Sequence, residues 1–139
     1  MSTQAKDHHI LQAIRLFRQT FRDEPEVAVF APGRANLIGE HTDYNEGFVL
    51  PFALPNKTII VAAKTSGPKS TLVSGEFLQE RVEFVIDQNL SKGTPTWANY
   101  VKGTIFQYLK DLPAGAAFNA AIMSDVPLGG GLSSSASLE

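Results

Sequence analysis

A short segment near the N-terminus concentrates side chains that can bind a polar ligand. Residues 31–47 have the sequence APGRANLIGEHTDYNEG, which contains Arg34, Glu40, His41 and Asp43. Carboxylates and an imidazole in fixed positions can exchange hydrogen bonds with the hydroxyls of a sugar. Arginine is always charged, so Arg34 could stabilise negative charge on a transferring phosphoryl group. The segment therefore predicts a site for a hydroxylated or phosphorylated small molecule.

Structural explanations of the same residues stay open at this point. A lone histidine such as His41 is more often a hydrogen-bonded structural residue than a ligand, and Glu40 with Asp43 could simply pair with Arg34. A transition-metal site is the weaker functional alternative, because one histidine and two carboxylates make a poor set of ligands. His8 and His9 belong to the first predicted helix and are expected to be surface residues.

A second segment, residues 127–137, has the composition of an anion-binding loop. Its sequence is PLGGGLSSSAS, in which a run of glycines precedes a serine cluster. Gly129, Gly130 and Gly131 permit positive φ and keep Cβ atoms away from a ligand. A helix that begins in the serines would direct free N–H groups at the loop, and serine hydroxyls can ligate Mg²⁺. A flexible Gly/Ser connector is the alternative, and neither GxxxxGK[ST] nor GxGxxG fits this loop.

The elements that must position these segments follow from the hydrophobic pattern. Apolar residues at helical spacing from Ile10 to Phe21 predict an amphipathic helix with Asp7 as its N-cap. A second helix is predicted to open at Gly93–Thr96, with one stripe formed by Trp97, Tyr100, Val101, Thr104, Ile105 and Tyr108. A third helix is predicted to begin in the serine cluster.

Strands are predicted over residues 27–30, 47–54, 58–63, 71–73, 81–86 and 116–123. The first should end at the breaker Ala31–Gly33, and Pro51 with Pro55 marks the second as an edge or irregular strand. Alternation around Val82 and Phe84 predicts a strand with one face in water. The order of elements indicates an α+β domain, with a mixed sheet and helices packed on it.

Composition narrows the class of protein. The length of 139 residues suits one domain, and a net charge of −2 offers no clustered cations for nucleic acid. The chain has no cysteine, which excludes a disulfide framework and a thiolate metal site. The polar N-terminus and the absence of a long apolar run predict neither a signal peptide nor a membrane span. A cytoplasmic protein is the expectation.

Three segments together resemble one known family. Residues 31–47 resemble the galactokinase signature, and PLGGGLSSSAS resembles the ATP-binding loop of the GHMP kinase superfamily, which phosphorylates small molecules such as galactose, homoserine and mevalonate. WANYVKG at 97–103 is similar to the galactokinase segment that borders the adenine pocket. The resemblance, from about Ala31 to Glu139, implies the N-terminal domain of a GHMP-type kinase, with the ribosomal protein S5 domain 2-like fold.

The resemblance also implies a role for each matching residue. The hydroxyls of galactose would be bound by Glu40, His41, Thr42 and Asp43. Arg34 would stabilise the transition state near the sugar 1-hydroxyl and the γ-phosphate. The ATP phosphates would contact Gly129, Gly130, Gly131, Leu132, Ser133, Ser134 and Ser135. Ser135 would ligate Mg²⁺, and Trp97 with Tyr100 would flank adenine, although an aromatic stripe on a helix is often part of a core instead.

The implied reaction transfers the γ-phosphoryl group of ATP to the anomeric hydroxyl of α-D-galactose, the first phosphorylation of galactose catabolism. A galactose- and ATP-binding sensor and an N-acetylgalactosamine kinase on the same fold are the alternatives. Sensors of the family are altered in the serine–alanine part of the loop, so the intact Ser133–Ala136 favours the enzyme.

The resemblance finally implies an incomplete protein. The family takes its catalytic base from an aspartate in a later segment, and Asp125 matches no base position. We therefore expect residues 1–139 to be a truncated N-terminal GHMP kinase domain, incomplete at its C-terminus and without the C-terminal domain. Such a chain should be inactive by itself, and a monomer is expected.

Overall fold

The computed structural model describes residues 3–39, 45–75, 80–127 and 134–138. In chain order, the elements in these ranges are α1 (Thr3–Phe21), β1 (Val27–Ile38), β2 (Leu50–Lys64), β3 (Ser70–Ser74), β4 (Arg81–Phe84), α2 (Ala98–Gln107), β5 (Phe118–Ser124) and α3 (Ser134–Leu138). Every helix in the described parts is too short or too polar to span a bilayer.

The strands form one five-stranded sheet in the order β1-β2-β5-β3-β4. β3 and β5 are parallel, and the other neighbouring pairs are antiparallel. A parallel pair needs a long crossover connection, which β4 and α2 supply here. The predicted mixed sheet is confirmed.

Each face of the sheet carries its own apolar core. On one face, Phe17 of α1 is fully buried in a cluster that contains Val61 and Ala121. On the other face, Ala98 of α2 packs in a cluster that contains Leu72 and Ala120. Successive residues of a strand point to opposite sides of the sheet, so neighbours such as Ala120 and Ala121 contribute to different cores. The helices predicted to pack on the sheet therefore cover it from both sides.

The predicted end of the first strand at Ala31–Gly33 is wrong, because β1 continues through these residues to Ile38. The pairing with β2 shifts register between Pro32 and Arg34. This irregularity accommodates the proline and glycine without ending the ladder. Arg34 consequently lies on a paired strand rather than in a loop.

The two strands predicted over 47–54 and 58–63 are one strand, β2. Pro55 falls opposite the same register shift, between the β2 residues Ala53 and Lys57 that pair with β1. A proline there costs no ladder hydrogen bond, so it does not break the strand. Only Thr58–Lys64 pairs with β5 as well. In the described structure the paired residues among 50–57 form ladder pairs with β1 only, in agreement with the irregular, edge-like character predicted from the prolines.

The helices also differ from the sequence pattern in detail. α1 begins at Thr3, so Asp7 lies inside the helix and its prediction as N-cap is wrong. α2 begins directly after Trp97, close to the predicted turn. β4 ends at Phe84, and its exposed and buried residues alternate as predicted. α3 begins at Ser134, which confirms a helix start in the serine cluster.

Candidate functional site

Only part of the predicted site lies within the described residues. Those outside are Glu40, His41, Thr42 and Asp43 of the first segment, and Gly129, Gly130, Gly131, Leu132 and Ser133 of the second. Arg34, Ser134, Ser135, Trp97 and Tyr100 are described. The site can therefore be built from the strand and helices that carry these residues.

Arg34 lies on β1 just beyond the register shift, opposite Ala53 of β2, and its side chain is exposed. Within the described ranges its guanidinium makes no ion pair. The backbone ladder therefore fixes the point on β1 from which the arginine side chain extends. Its role at a phosphoryl group stays a prediction.

Asn36 is a second unusual polar residue on β1. Its side-chain oxygen is buried and has no hydrogen-bond partner, and no other buried side-chain polar atom in the described chain shares that state. A buried acceptor without a donor costs about 1–3 kcal/mol. The described structure therefore leaves one hydrogen-bond acceptor unpaired on β1, two residues after Arg34.

Helix α3 packs beside the strand that carries Arg34. It contacts β1, β2 and α2. A small cavity of about 120 Å³ between α3 and the sheet is lined by Val29, Phe30, Ala31, Thr58, Ile60, Ser137 and Leu138. The structure thus brings the serine cluster next to the β1–β2 pair and to the helix that follows Trp97.

Buried hydroxyls link the strand before the glycine segment to the helix after it. Thr58 Oγ1 lies 3.0 Å from Ser124 Oγ, at the end of β5, and 2.7 Å from Ser137 Oγ in α3. Ser137 donates to the carbonyl oxygen of Ser134 at 2.8 Å, and the amide of Val126 donates to Ser124 Oγ at 3.2 Å. Thr58 and Ser137 are only 3% and 5% exposed. One residue of β2 therefore holds both flanks of residues 128–133.

Asp125 adds a second connection at the same place. Its Oδ1 accepts the amide N–H of Lys57, and its backbone oxygen accepts Asn56 Nδ2 at 2.8 Å. Oδ2 lies 3.4 Å from Nδ1 of His9 in α1. His8 is exposed as predicted, whereas His9 is only partly exposed and lies against Asp125. These contacts give Asp125 a structural role that joins α1, β2 and the end of β5.

Trp97 and Tyr100 occupy different surroundings. The Trp97 ring packs against the core on the α2 side of the sheet, and its indole N–H donates to Glu80 Oε2 at 2.7 Å. Tyr100 is 40% exposed and lines an open groove of about 670 Å³ with Lys92, Thr96, Asn99, Gly103, Thr104, Gln107 and Tyr108. The predicted stripe is therefore two faces: Val101 and Ile105 pack inward with Trp97, whereas Tyr100 and Tyr108 face outward. Their placement at adenine stays a prediction.

Sequence reasoning missed Thr58, Ser124, Ser137 and Glu80. The hydroxyl contacts join residues 66 and 79 positions apart, and the Trp97–Glu80 contact spans 17 positions. No local pattern marks such pairs, because each residue type is ordinary in its own element. The position of Ser137 in the loop motif was the one available signal.

Comparisons with known proteins agree with this architecture. The galactokinase galactose-binding signature matches residues 15–64. Galactokinase of Homo sapiens is 52% identical over 136 residues, and the alignment covers 94% of this chain and 34% of that protein. Galactokinase of Staphylococcus carnosus is 44% identical over 126 residues, which cover 88% of this chain and 32% of that protein. The chain spans about a third of the length of these curated relatives.

Solved structures support the same assignment. Lactococcus lactis galactokinase, crystallised with galactose, superimposes with a TM-score of 0.80 at 37% identity, over 91% of this chain and 33% of that chain. Methanococcus jannaschii mevalonate kinase superimposes with a TM-score of 0.69 at 21% identity, over 81% of this chain and 36% of that chain, and shows the shared fold alone. Together these findings show that the chain carries the galactokinase galactose-binding signature at residues 15–64 and is similar to galactokinases over nearly its whole length.

Proposed function

We propose that this protein is a galactokinase, which transfers the γ-phosphoryl group of ATP to the anomeric hydroxyl of α-D-galactose and yields galactose 1-phosphate. The observation that carries the proposal is the match of the galactose-binding signature to residues 15–64. It is supported by 52% identity to a named galactokinase over nearly the whole chain. We place the protein in the cytoplasm, as a monomer, with residues 1–139 as the N-terminal GHMP kinase domain of the enzyme.

Galactose is proposed to bind at Glu40, His41, Thr42 and Asp43. These residues follow Gly39, directly beyond the end of β1, the strand that also carries Arg34. Carboxylates that accept two hydroxyl donors each would orient the sugar ring and present its 1-hydroxyl. The unpaired Asn36 oxygen shows that this strand has hydrogen-bonding capacity left over.

ATP is proposed to bind with its phosphates against residues 129–135. Arg34 would stabilise charge on the equatorial oxygens of the transferring group, a role that needs a fixed cation with no competing carboxylate. The ladder to Ala53 and the lack of an ion pair among the described residues fit that requirement.

Mg²⁺ is proposed to be held through the hydroxyl of Ser135. A serine hydroxyl is a hard oxygen donor of the kind Mg²⁺ prefers, and the ion usually takes few protein ligands beside phosphates and water. Bound Mg²⁺ would supply charge neutralisation at the phosphates.

Adenine is proposed to lie near Trp97 and Tyr100. The open groove beside Tyr100 has room for a heterocycle, and Trp97 stands at the head of the same helix. Because Trp97 packs inward, it would border the base from the core side, while Tyr100 would meet it from the groove.

The test is a phosphorylation assay on the complete protein with ATP, Mg²⁺ and a panel of galactose, N-acetylgalactosamine, glucose and mevalonate. We expect galactose 1-phosphate as the main product, identified by ³¹P NMR. Preference for N-acetylgalactosamine would mean that the protein is an N-acetylgalactosamine kinase instead. Binding of galactose and ATP by calorimetry without turnover would favour the sensor.

Asp43→Ala tests the proposed role of this aspartate in galactose binding. We expect it to weaken galactose binding by at least tenfold, because a buried sugar hydroxyl would lose a charged acceptor. ADP binding should be unchanged. Unaltered galactose affinity in calorimetry would remove Asp43 from the site.

A further inference from the structure

We propose that Thr58, Ser124 and Ser137 form a hydroxyl bridge that positions the phosphate-binding segment for the reaction. The proposal rests on the proposed function, because it concerns how ATP phosphates are placed. The bridge consists of the Thr58 contacts to Ser124 at 3.0 Å and to Ser137 at 2.7 Å. None of the three residues is proposed to touch ATP, so they are positioning residues.

The hydrogen bonds of the bridge run in one direction. Ser137 has one hydroxyl proton and donates it to the carbonyl oxygen of Ser134, since a carbonyl can only accept. Ser137 must therefore accept a hydrogen bond from Thr58. Because the single hydroxyl proton of Thr58 is used in that bond, Thr58 must accept from Ser124. Ser124 in turn accepts from the amide of Val126. The chain thus begins at a backbone donor before residues 128–133 and ends at a backbone acceptor after them.

The bridge connects the residues on the two sides of the glycine segment. Val126 lies just before the glycine segment and Ser134 just after it. Among the described residues of β2, Thr58 alone bonds to both sides through its hydroxyl. The ends of a loop are usually held by backbone hydrogen bonds, whose geometry the strands dictate. Here the side chain of Thr58 also links the end of β5 to the first turn of α3.

Burial makes this constraint stiff. Thr58 and Ser137 are 3% and 5% exposed, so water does not replace a lost partner easily. Each hydroxyl of the chain is satisfied, unlike the Asn36 oxygen on the neighbouring strand. Hydrogen bonds in such a low-dielectric chain polarise one another and hold their partners more tightly than isolated bonds.

The bridge also connects the strand pair that carries Arg34 with the helix that carries Ser135, the proposed Mg²⁺ ligand. Thr58 lies on β2, whose residue Ala53 pairs with Arg34 of β1. Ser135 follows Ser134, the end of the hydroxyl chain, by one residue. A shift of α3 would therefore move the proposed Mg²⁺ ligand relative to Arg34, and proximity of this kind is sensitive to small displacements.

The test compares Thr58→Val, Thr58→Ser and the control Thr71→Val in the complete protein. Valine keeps the shape of threonine and removes the hydroxyl, whereas serine keeps the hydroxyl. Thr71 is a buried threonine of β3, paired with Asn119 at the far end of β5. Thr71→Val therefore removes the same buried hydroxyl group at a place away from the bridge. Ser137→Ala breaks the bridge from the other side if Thr58→Val folds poorly.

We expect Thr58→Val and Ser137→Ala to raise the KM for ATP and the Kd for ADP about tenfold. The Kd for adenosine and the KM for galactose should stay within about twofold of the unmodified protein. Amide exchange in residues 134–138 should become faster, since α3 loses its tether. Thr58→Ser should keep the KM for ATP, the Kd for ADP and the exchange rate close to those of the unmodified protein. Thr71→Val should change none of these three quantities.

Equal weakening of adenosine and ADP would overturn the proposal, because a general structural loss does not distinguish phosphate from base. Unchanged ADP affinity and unchanged exchange in Thr58→Val would overturn it as well. Failure of the unmodified protein to phosphorylate galactose would count against the proposed function alone, and ADP binding with amide exchange would still decide the bridge.

Discussion

The indole N–H of Trp97 donates a hydrogen bond to Oε2 of Glu80, 2.7 Å away. The bond ties the residue that precedes α2 to the residue that precedes β4. Trp97 is the single tryptophan among residues 1–139, so tryptophan emission from this part of the protein reports on this one position. The pair gives a direct optical probe of the proposed adenine site.

Glu80→Ala should change the emission of Trp97 and weaken ATP binding modestly. The indole loses its acceptor, so we expect altered emission and a two- to fivefold higher KM for ATP, equivalent to about 1 kcal/mol or less. Emission spectra with and without ADP, together with steady-state kinetics, measure both effects. Glu83→Ala is the control, since Glu83 is an exposed glutamate of β4 that pairs with Arg81 instead. An emission change in both variants would show that the effect is not specific to Glu80.

Arg34→Ala should abolish turnover and leave galactose binding intact. A cation that stabilises the transferring phosphoryl group is worth about 10³–10⁵ in kcat, whereas it contributes little to ground-state binding of a neutral sugar. Rapid-quench kinetics and calorimetry separate the two quantities. Arg15→Ala, a change at an exposed arginine of α1, should leave both unaffected. Full activity of Arg34→Ala would remove this residue from the reaction.

Asp125→Ala should destabilise the fold without a specific effect on catalysis. The variant removes the acceptor for the Lys57 amide and the partner of His9. We expect a loss of about 1–2 kcal/mol in the free energy of unfolding, measured by urea denaturation. Asp125→Asn retains an acceptor oxygen and should lose less. A large fall in kcat with unchanged stability would contradict the structural role and point to a catalytic one.

Phe17→Ala should be the most damaging change in the helix α1. Phe17 is fully buried against the sheet, so its truncation leaves a cavity that costs about 3–5 kcal/mol. Leu11 of the same helix is 60% exposed, and Leu11→Ala should change stability by only about 0.5 kcal/mol. Chemical denaturation of the two variants tests this contrast. Similar losses would mean that α1 does not pack through the face that carries Phe17.

Local chemistry was enough for most of the elements. The helical spacing from Ile10 to Phe21 and the alternation around Val82 predicted the type and the buried side of α1 and β4 correctly. The prediction that β1 ends at Ala31–Gly33 was wrong, because the effect of this proline and glycine depends on how the partner strand pairs with them. A register shift in β1–β2 absorbs it, and no local feature of either segment reveals that shift.

The sequence by itself predicted the likeness to galactokinases and the candidate ligand-binding residues, because residue types at fixed spacing indicate a chemistry before the fold is known. Only the tertiary structure decided that Arg34 stands on a paired strand, that Trp97 and Tyr100 face different surroundings, and that Thr58 joins both flanks of the glycine segment. The physical reason is distance along the chain. Side-chain direction and hydrogen-bond partners arise from contacts between remote residues, and these form only when the sheet and its helices are assembled.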